Sequence, residues 1–175
     1  MADVVANDNL IIAKDFNGNA YLPEYNFNGI GDMFPTEGYQ LKVIESDQIL
    51  YLSNDEFYRM SALNRTENHA IHNTSFNITD NNMTIVVQDI AWDVLPDDGA
   101  EIVAFDKDGN IVGAAIYTSP VTVLSVWGDD AMTSYKDGML MSEVVSFKVW
   151  TSNQVTKIDL DKWLEGSSSY LPNTI

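Results

Sequence analysis

The sequence predicts an all-β protein: an antiparallel, jelly-roll-like β-sandwich built from two diverged copies of one β unit. Three observations carry that expectation. Apolar residues alternate at period two along most of the chain, Asn/Asp/Gly/Pro clusters punctuate the alternation, and two stretches echo each other in the same order.

The strands follow in chain order. "NLIIAK" (9–14) and "NAYLP" (19–23) flank a turn cluster. In "GYQLKVI" (38–44), Tyr39, Leu41 and Val43 share one face, while Gln40 and Lys42 share the other. "QILYL" (48–52) is a further strand, and "NDEFYRMSALNR" (54–65) is the one stretch with helical spacing. Beyond a polar segment come "MTIVVQ" (83–88), "AEIVAF" (100–105), "NIVGAAIY" (110–117) and "VTVLSVW" (121–127). "VVSFKVW" (144–150) sets Val145, Phe147 and Val149 against Ser146 and Lys148, and "VTKIDL" (155–160) closes the series. Many strands with turn-rich spacing point to a sandwich or barrel.

The internal repeat sharpens this. "IIAKDFNGNAY" (11–21) aligns with "IVAFDKDGNIV" (102–112), and "MFPTEGYQLKVIESDQ" (33–48) aligns with "MLMSEVVSFKVWTSNQ" (139–154). The offset between the copies grows from 91 to 106 residues, so the second copy carries an insertion around "SVWGDDAMTS". The expected organisation is a first β unit over 1–62, a polar linker over 63–82 and a second β unit over 83–175. The second copy is preceded by the strong strand 83–88. Its counterpart in the first would fall before the chain begins, where "ADVVANDN" stands. A sheet short of one strand invites a strand from another chain. The terminal segments "ADVV" and "SSSYLPNTI" are the candidate donors.

Composition bounds the function classes. With 175 residues, 45% apolar and 11% aromatic content, the chain can bury a real core. A net charge of −17 argues against nucleic acid and anionic membrane as partners, since both are polyanions. The absence of cysteine excludes disulfides and thiolate metal sites. The N-terminal segment lacks the pattern of a secretory leader, and no apolar run is long enough to span a bilayer. The expectation is therefore no membrane insertion, with the chain kept in the cell, released by lysis or within a virion, or read here without its leader.

The stretches 9–52 and 83–173, above all "VWGDD" and "FKVW", resemble a recurrent β module. That module occurs in surface and secreted proteins of marine Bacteroidetes, often upstream of a type IX sorting domain, and in uncharacterised marine phage proteins. The resemblance implies an extracellular structural or adhesive role at a cell or virion surface, and it brings no catalytic residues.

Candidate sites are few. Asp15, Asn17 and Asn19, and again Asp106, Asp108 and Asn110, space oxygen-bearing side chains as the start of a calcium loop does. The sixth and twelfth positions fail, being Ala20 and Asn26 in the first copy and Ile111 and Tyr117 in the second. A turn opened by aspartate, with Gly18 or Gly109 in the left-handed position, explains the letters better. Asp129 and Asp130, with Asp137 nearby, form a second acidic cluster open to calcium. His69 and His72 lack a third ligand at metal spacing. Acceptor triplets for glycosylation begin at Asn64, Asn73, Asn77 and Asn82. Trp150 and Trp163 are expected to pack in a core or interface rather than to form a sugar platform.

The functional expectation is a non-enzymatic structural protein. It would assemble with itself into an extracellular filament or surface layer by strand complementation. The alternative is a calcium-assisted carbohydrate-binding or adhesive module, or a phage decoration or fibre protein, with glycans as further partners.

Overall fold

A computed structural model describes residues 9–34, 36–48, 75–152 and 154–174. The chain divides into two units, Met1–Glu67 and Asn68–Ile175. The expected strand 48–52, the helical stretch 54–65 and the two histidines lie outside the described residues, apart from Gln48. Among the described residues the structure is all-β with antiparallel ladders, and its only helical pieces are single 3-10 turns at Pro23–Tyr25 and Asp89–Ala91.

In the first unit, β1 (Leu10–Asp15), β2 (Ala20–Leu22), β3 (Phe27–Asn28) and β4 (Tyr39–Val43) form one sheet in the order β3-β2-β1-β4. Leu10, Ala13 and Ile30 form its small core, with Tyr21, Tyr39, Leu41 and Val43 packed half-buried against them.

The second unit has two sheets. β5 (Asn82–Gln88) pairs with β8 (Val121–Trp127). β6 (Glu101–Phe105), β7 (Ile111–Ile116), β9 (Ser146–Trp150) and β10 (Val155–Ile158) form the other sheet in the order β10-β9-β6-β7. The alternating residues Ile102, Ala104 and Phe147 on one sheet meet Met83, Ile85, Leu124 and Val126 on the other. This is sandwich packing, in which each strand lends every second side chain to one core. Trp163 packs against this core beside Phe147, and Trp150 lies beside Phe105, as expected of packing tryptophans.

The aligned stretches share a local register. Ala13 pairs with Leu41, and Ala104 with Phe147; Ile12 pairs with Lys42, and Val103 with Lys148. Lys14 opposite Gln40 likewise matches Phe105 opposite Ser146. Strands β2-β1-β4 and β7-β6-β9 therefore repeat one three-strand pattern.

Three expectations need correction. The strand 83–88 does not extend the sheet that holds β6, because it pairs with β8 in a separate layer. A counterpart of β5, which is not among the described strands of the first unit, would therefore form a covering layer and not a rung of the β2-β1-β4 ladder. Residues 75–82 are part of the second unit rather than a free linker. Thr79 Oγ1 donates to the Gly128 carbonyl at 2.8 Å, and the Gly128 N–H donates to the Asn81 carbonyl at 3.0 Å. The C-terminal segment is not a spare strand. Asn173 N–H donates to the Asn82 carbonyl and Thr84 N–H to the Thr174 carbonyl, each at 2.8 Å. Tyr170, 1% exposed, hydrogen-bonds Asn81 through its hydroxyl. The two backbone bonds occupy the outer edge of β5 at Asn82 and Thr84 from within the same unit.

Candidate functional site

The two aspartate turns are built alike. Asp15 Oδ1 accepts the backbone N–H groups of Asn17 and Asn19, both at 2.9 Å, and Oδ2 accepts the Asn19 side-chain amide at 2.9 Å. In the second unit, Asp106 Oδ1 accepts the N–H groups of Asp108 at 2.9 Å and Asn110 at 2.8 Å, while Oδ2 accepts the Asn110 amide at 2.9 Å. Gly18 and Gly109 hold φ values of 81° and 86°, a region that costs residues with a Cβ. Each carboxylate thus folds its own loop back into the next strand. Asn17, Asn19, Asp108 and Asn110 contribute their backbone N–H groups to these turns.

What surrounds the second turn is absent from the sequence reading. Lys136 places its Nζ 2.8 Å from Asp106 Oδ2, 2.8 Å from Glu143 Oε1 and 3.1 Å from Asp108 Oδ2. Its three N–H donors are therefore all engaged. The Asp106 and Glu143 side chains are 2% and 5% exposed, Lys136 is 24% exposed, and Asp108, at 54%, lies at the rim. Glu143 is fixed from its other side by the Leu140 N–H on Oε2 at 2.9 Å. The three acids span the geometry of a metal cluster, and a lysine ammonium stands among them.

The electrostatics follow from that contact. Burial pushes the Asp106 carboxyl up, but hydrogen bonds from Lys136 and Asn110 outweigh it and bring the group down to about 2. Burial also pushes Glu143 up, yet the same ammonium and the Leu140 and Lys107 N–H groups hold it below the ordinary carboxylate range. Desolvation pulls Lys136 down, and its bonds to Asp106, Glu143 and Asp108 overcome that and hold it above its ordinary value. A surface depression of about 330 Å³ opens beside this cluster, bordered by Phe76, Asn77, Ile111 and Asp137.

The other acidic cluster is also engaged with backbone. Asp129 Oδ1 accepts the Asp137 N–H at 2.8 Å, Asp137 Oδ1 accepts the Asp130 N–H at 2.9 Å, and Asp130 Oδ1 accepts the Met132 N–H at 2.8 Å. These three carboxylates tie a loop together. Of the acceptor asparagines, Asn64 and Asn73 lie outside the described residues and Asn77 is exposed. Asn82 opens β5 and is 7% exposed, which puts its amide out of reach of a transferase on the folded chain.

Sequence reading found Asp106, Asp108 and Asn110 but missed Lys136 and the role of Glu143. Glu143 carried one weak signal, its alignment with Glu37, which is bonded differently: it accepts the Tyr39 hydroxyl at 2.7 Å. Lys136 lies 30 residues beyond Asp106, and no local pattern marks it. Neither a protein-family model, nor a characterised protein, nor a solved structure matches the chain.

Proposed function

We propose that the chain is a non-enzymatic structural protein that assembles with copies of itself in an extracellular setting, at a cell or virion surface. The observation that supports this is a difference between two matching faces. In the second unit the face carrying Val145 and Phe147 is closed by the β5–β8 layer, and both residues are buried. In the first unit the aligned Tyr39 and Leu41, with Tyr21 and Val43, are half-buried, and no described strand corresponds to β5. The shared register of the two three-strand patterns supports reading the units as diverged copies, and among the described residues the covering layer is the part that differs.

The reading assigns that layer to the N-terminal segment of a neighbouring copy. The C-terminal segment is already engaged with β5 of its own unit, which leaves residues 1–8 as the donor. Such a contact joins two different surfaces and propagates head to tail. Deleting residues 1–8 is expected to turn assemblies into monomers in sedimentation and electron microscopy. A truncated chain that assembles as the full one does removes N-terminal donation.

The competing calcium-assisted binding module draws on Asp106, Asp108 and the 129–130 loop. Calcium at the first of these has to displace Lys136 from the two buried carboxylates that hold it, and at the 129–130 loop it has to share carboxylates that already accept backbone N–H groups. Millimolar calcium is therefore expected to leave the Tm within a degree or so of its value in EDTA, because a ligand stabilises only by binding the native state. A rise of several degrees in calorimetry favours the calcium reading instead.

A further inference from the structure

The Lys136 cluster holds more than charge neutralisation requires. Its nitrogen lies 2.8 Å from Asp106 Oδ2, and a second carboxylate, Glu143, touches the same nitrogen at 2.8 Å. The other oxygen of Asp106, Oδ1, accepts two backbone N–H groups, from Asp108 and Asn110. Two N–H groups converging on one oxygen stabilise a tetrahedral oxyanion in acyl transfer. Amine, proton carrier and oxyanion donors thus surround the Asp106 carboxyl group, the amine at Oδ2 and the two N–H groups at Oδ1. The Asp106 and Glu143 side chains are almost fully buried, which limits the water that would reverse a condensation. Asp108 is exposed, so it is the poorer acyl acceptor of the two.

The geometry points to an intramolecular amide bond between Lys136 Nζ and Asp106 Cγ, with Glu143 carrying protons. The Lys136 ammonium gives one proton to Glu143, which passes it to Asp106 Oδ2. The nitrogen lone pair then forms the C–N bond, while Oδ1 takes the developing negative charge within its two N–H groups. A second proton moves from nitrogen through Glu143 to Oδ2, the C–Oδ2 bond breaks, and water leaves. Of the three ammonium protons, one stays on the amide and two depart in the water, so no oxidant or cofactor takes part. Oδ1 remains an acceptor for Asp108 and Asn110, and the turn survives the reaction. The resting ion pair keeps Lys136 protonated, which makes the first transfer the slow step. The linked fraction therefore grows with time in the folded state.

The first unit supplies a contrast. Asp15 has the same two N–H groups on one oxygen. Three residues before Met33 stands buried Ile30, where Lys136 stands three before Met139. That position of the first unit has no amine to react.

An intact mass spectrum of the full chain, held folded at pH 8–9 and sampled over days, tests the bond. A species lighter than the sequence mass by one water is expected to accumulate, and a tryptic digest should contain the peptide of Asp106 joined to that of Lys136. Lys136→Arg, which keeps the cation but cannot link, and Glu143→Gln are expected to stay at full mass, with circular dichroism confirming the fold. A wild-type chain that remains at its full sequence mass overturns the bond. So does a water loss that persists in Lys136→Arg, since it must then arise elsewhere.

Discussion

Lys136→Met lowers the stability of the second unit by about 3 kcal/mol or more, the cost of leaving buried charge without its partner. Asp106 and Glu143 both keep their burial when the ammonium goes, and the Asp108 carboxylate still stands close by. The figure sits at the low end for a broken buried pair because Lys136 itself is a quarter exposed. Replacing the cluster is a different operation from breaking it. The triple variant Asp106→Asn/Lys136→Met/Glu143→Gln recovers most of the loss, since the introduced amide keeps an oxygen for the turn and no charge is stranded.

The pH dependence separates this account from simple loss of packing. In the wild type Asp106 is held at about 2 and Glu143 is lowered, both below their unfolded values. Their contribution is present above the unfolded carboxylate range and is lost as pH falls through the folded values. Lys136 is raised, so its contribution is present below the unfolded lysine value and is lost as pH climbs through the folded one. Wild-type stability from this cluster is therefore flat from roughly pH 5 to 9. Without the ammonium, burial is opposed only by the hydrogen bonds from Asn110, Leu140 and Lys107, so both carboxyls rise relative to the wild type. The carboxyls of folded Lys136→Met then keep their protons to higher pH than those of the wild type, so the stability gap between variant and wild type narrows as pH is lowered from 7 to 5. Urea titrations of both proteins at the two pH values check the sign, and a midpoint difference that is the same at both removes the stranded-charge explanation.

How much of this was legible in the sequence follows from the range of each interaction. Period-two alternation is a local signal, so "GYQLKVI", "VTVLSVW" and "VVSFKVW" became β4, β8 and β9 with little adjustment. The aspartate turns are equally local. Asp, Gly and Asn within five residues encode the hydrogen bonds that close them. The aligned stretches carried information across distance, because their strands pair in one shared register. Beyond the repeat that aid stopped. Nothing in "MTIVVQ" says that its ladder partner is β8 rather than the hairpin after it, since either choice buries the same apolar face. The return of residues 173–174 to β5 uses backbone groups alone, which leave no mark on side-chain pattern. The Lys136 cluster was invisible for another reason. With 26 acidic and 9 basic residues, every lysine has many acids to choose from, and the choice is made only by the loop that carries it.

Gly113→Ala is expected to destabilise the second unit by about 3 kcal/mol, at the upper end for a forced overpacking. An ideal Cβ on Gly113 runs into the Ser125 carbonyl oxygen and lies 3.1 Å from its carbon and 3.3 Å from Val126 Cα. All three atoms are backbone of β8, so no side chain can turn aside to make room. β8 is fixed in turn by its seven-residue ladder with β5 and by Leu124 and Val126 in the core. Relief therefore means separating β7 from β8, which opens the sandwich along a buried seam. Gly109, four residues earlier, provides the comparison. It sits at positive φ with nothing within 4 Å of an added Cβ, so Gly109→Ala meets conformational strain alone, at a cost of about 1 kcal/mol. The sequence suggests the opposite ranking, since Gly109 marks an evident turn and Gly113 interrupts a strand that alanine should improve. Denaturation midpoints for the two single variants decide between close approach and local propensity. Equal midpoints, or a Gly113→Ala chain more stable than wild type, mean that β8 does not lie against β7 as described.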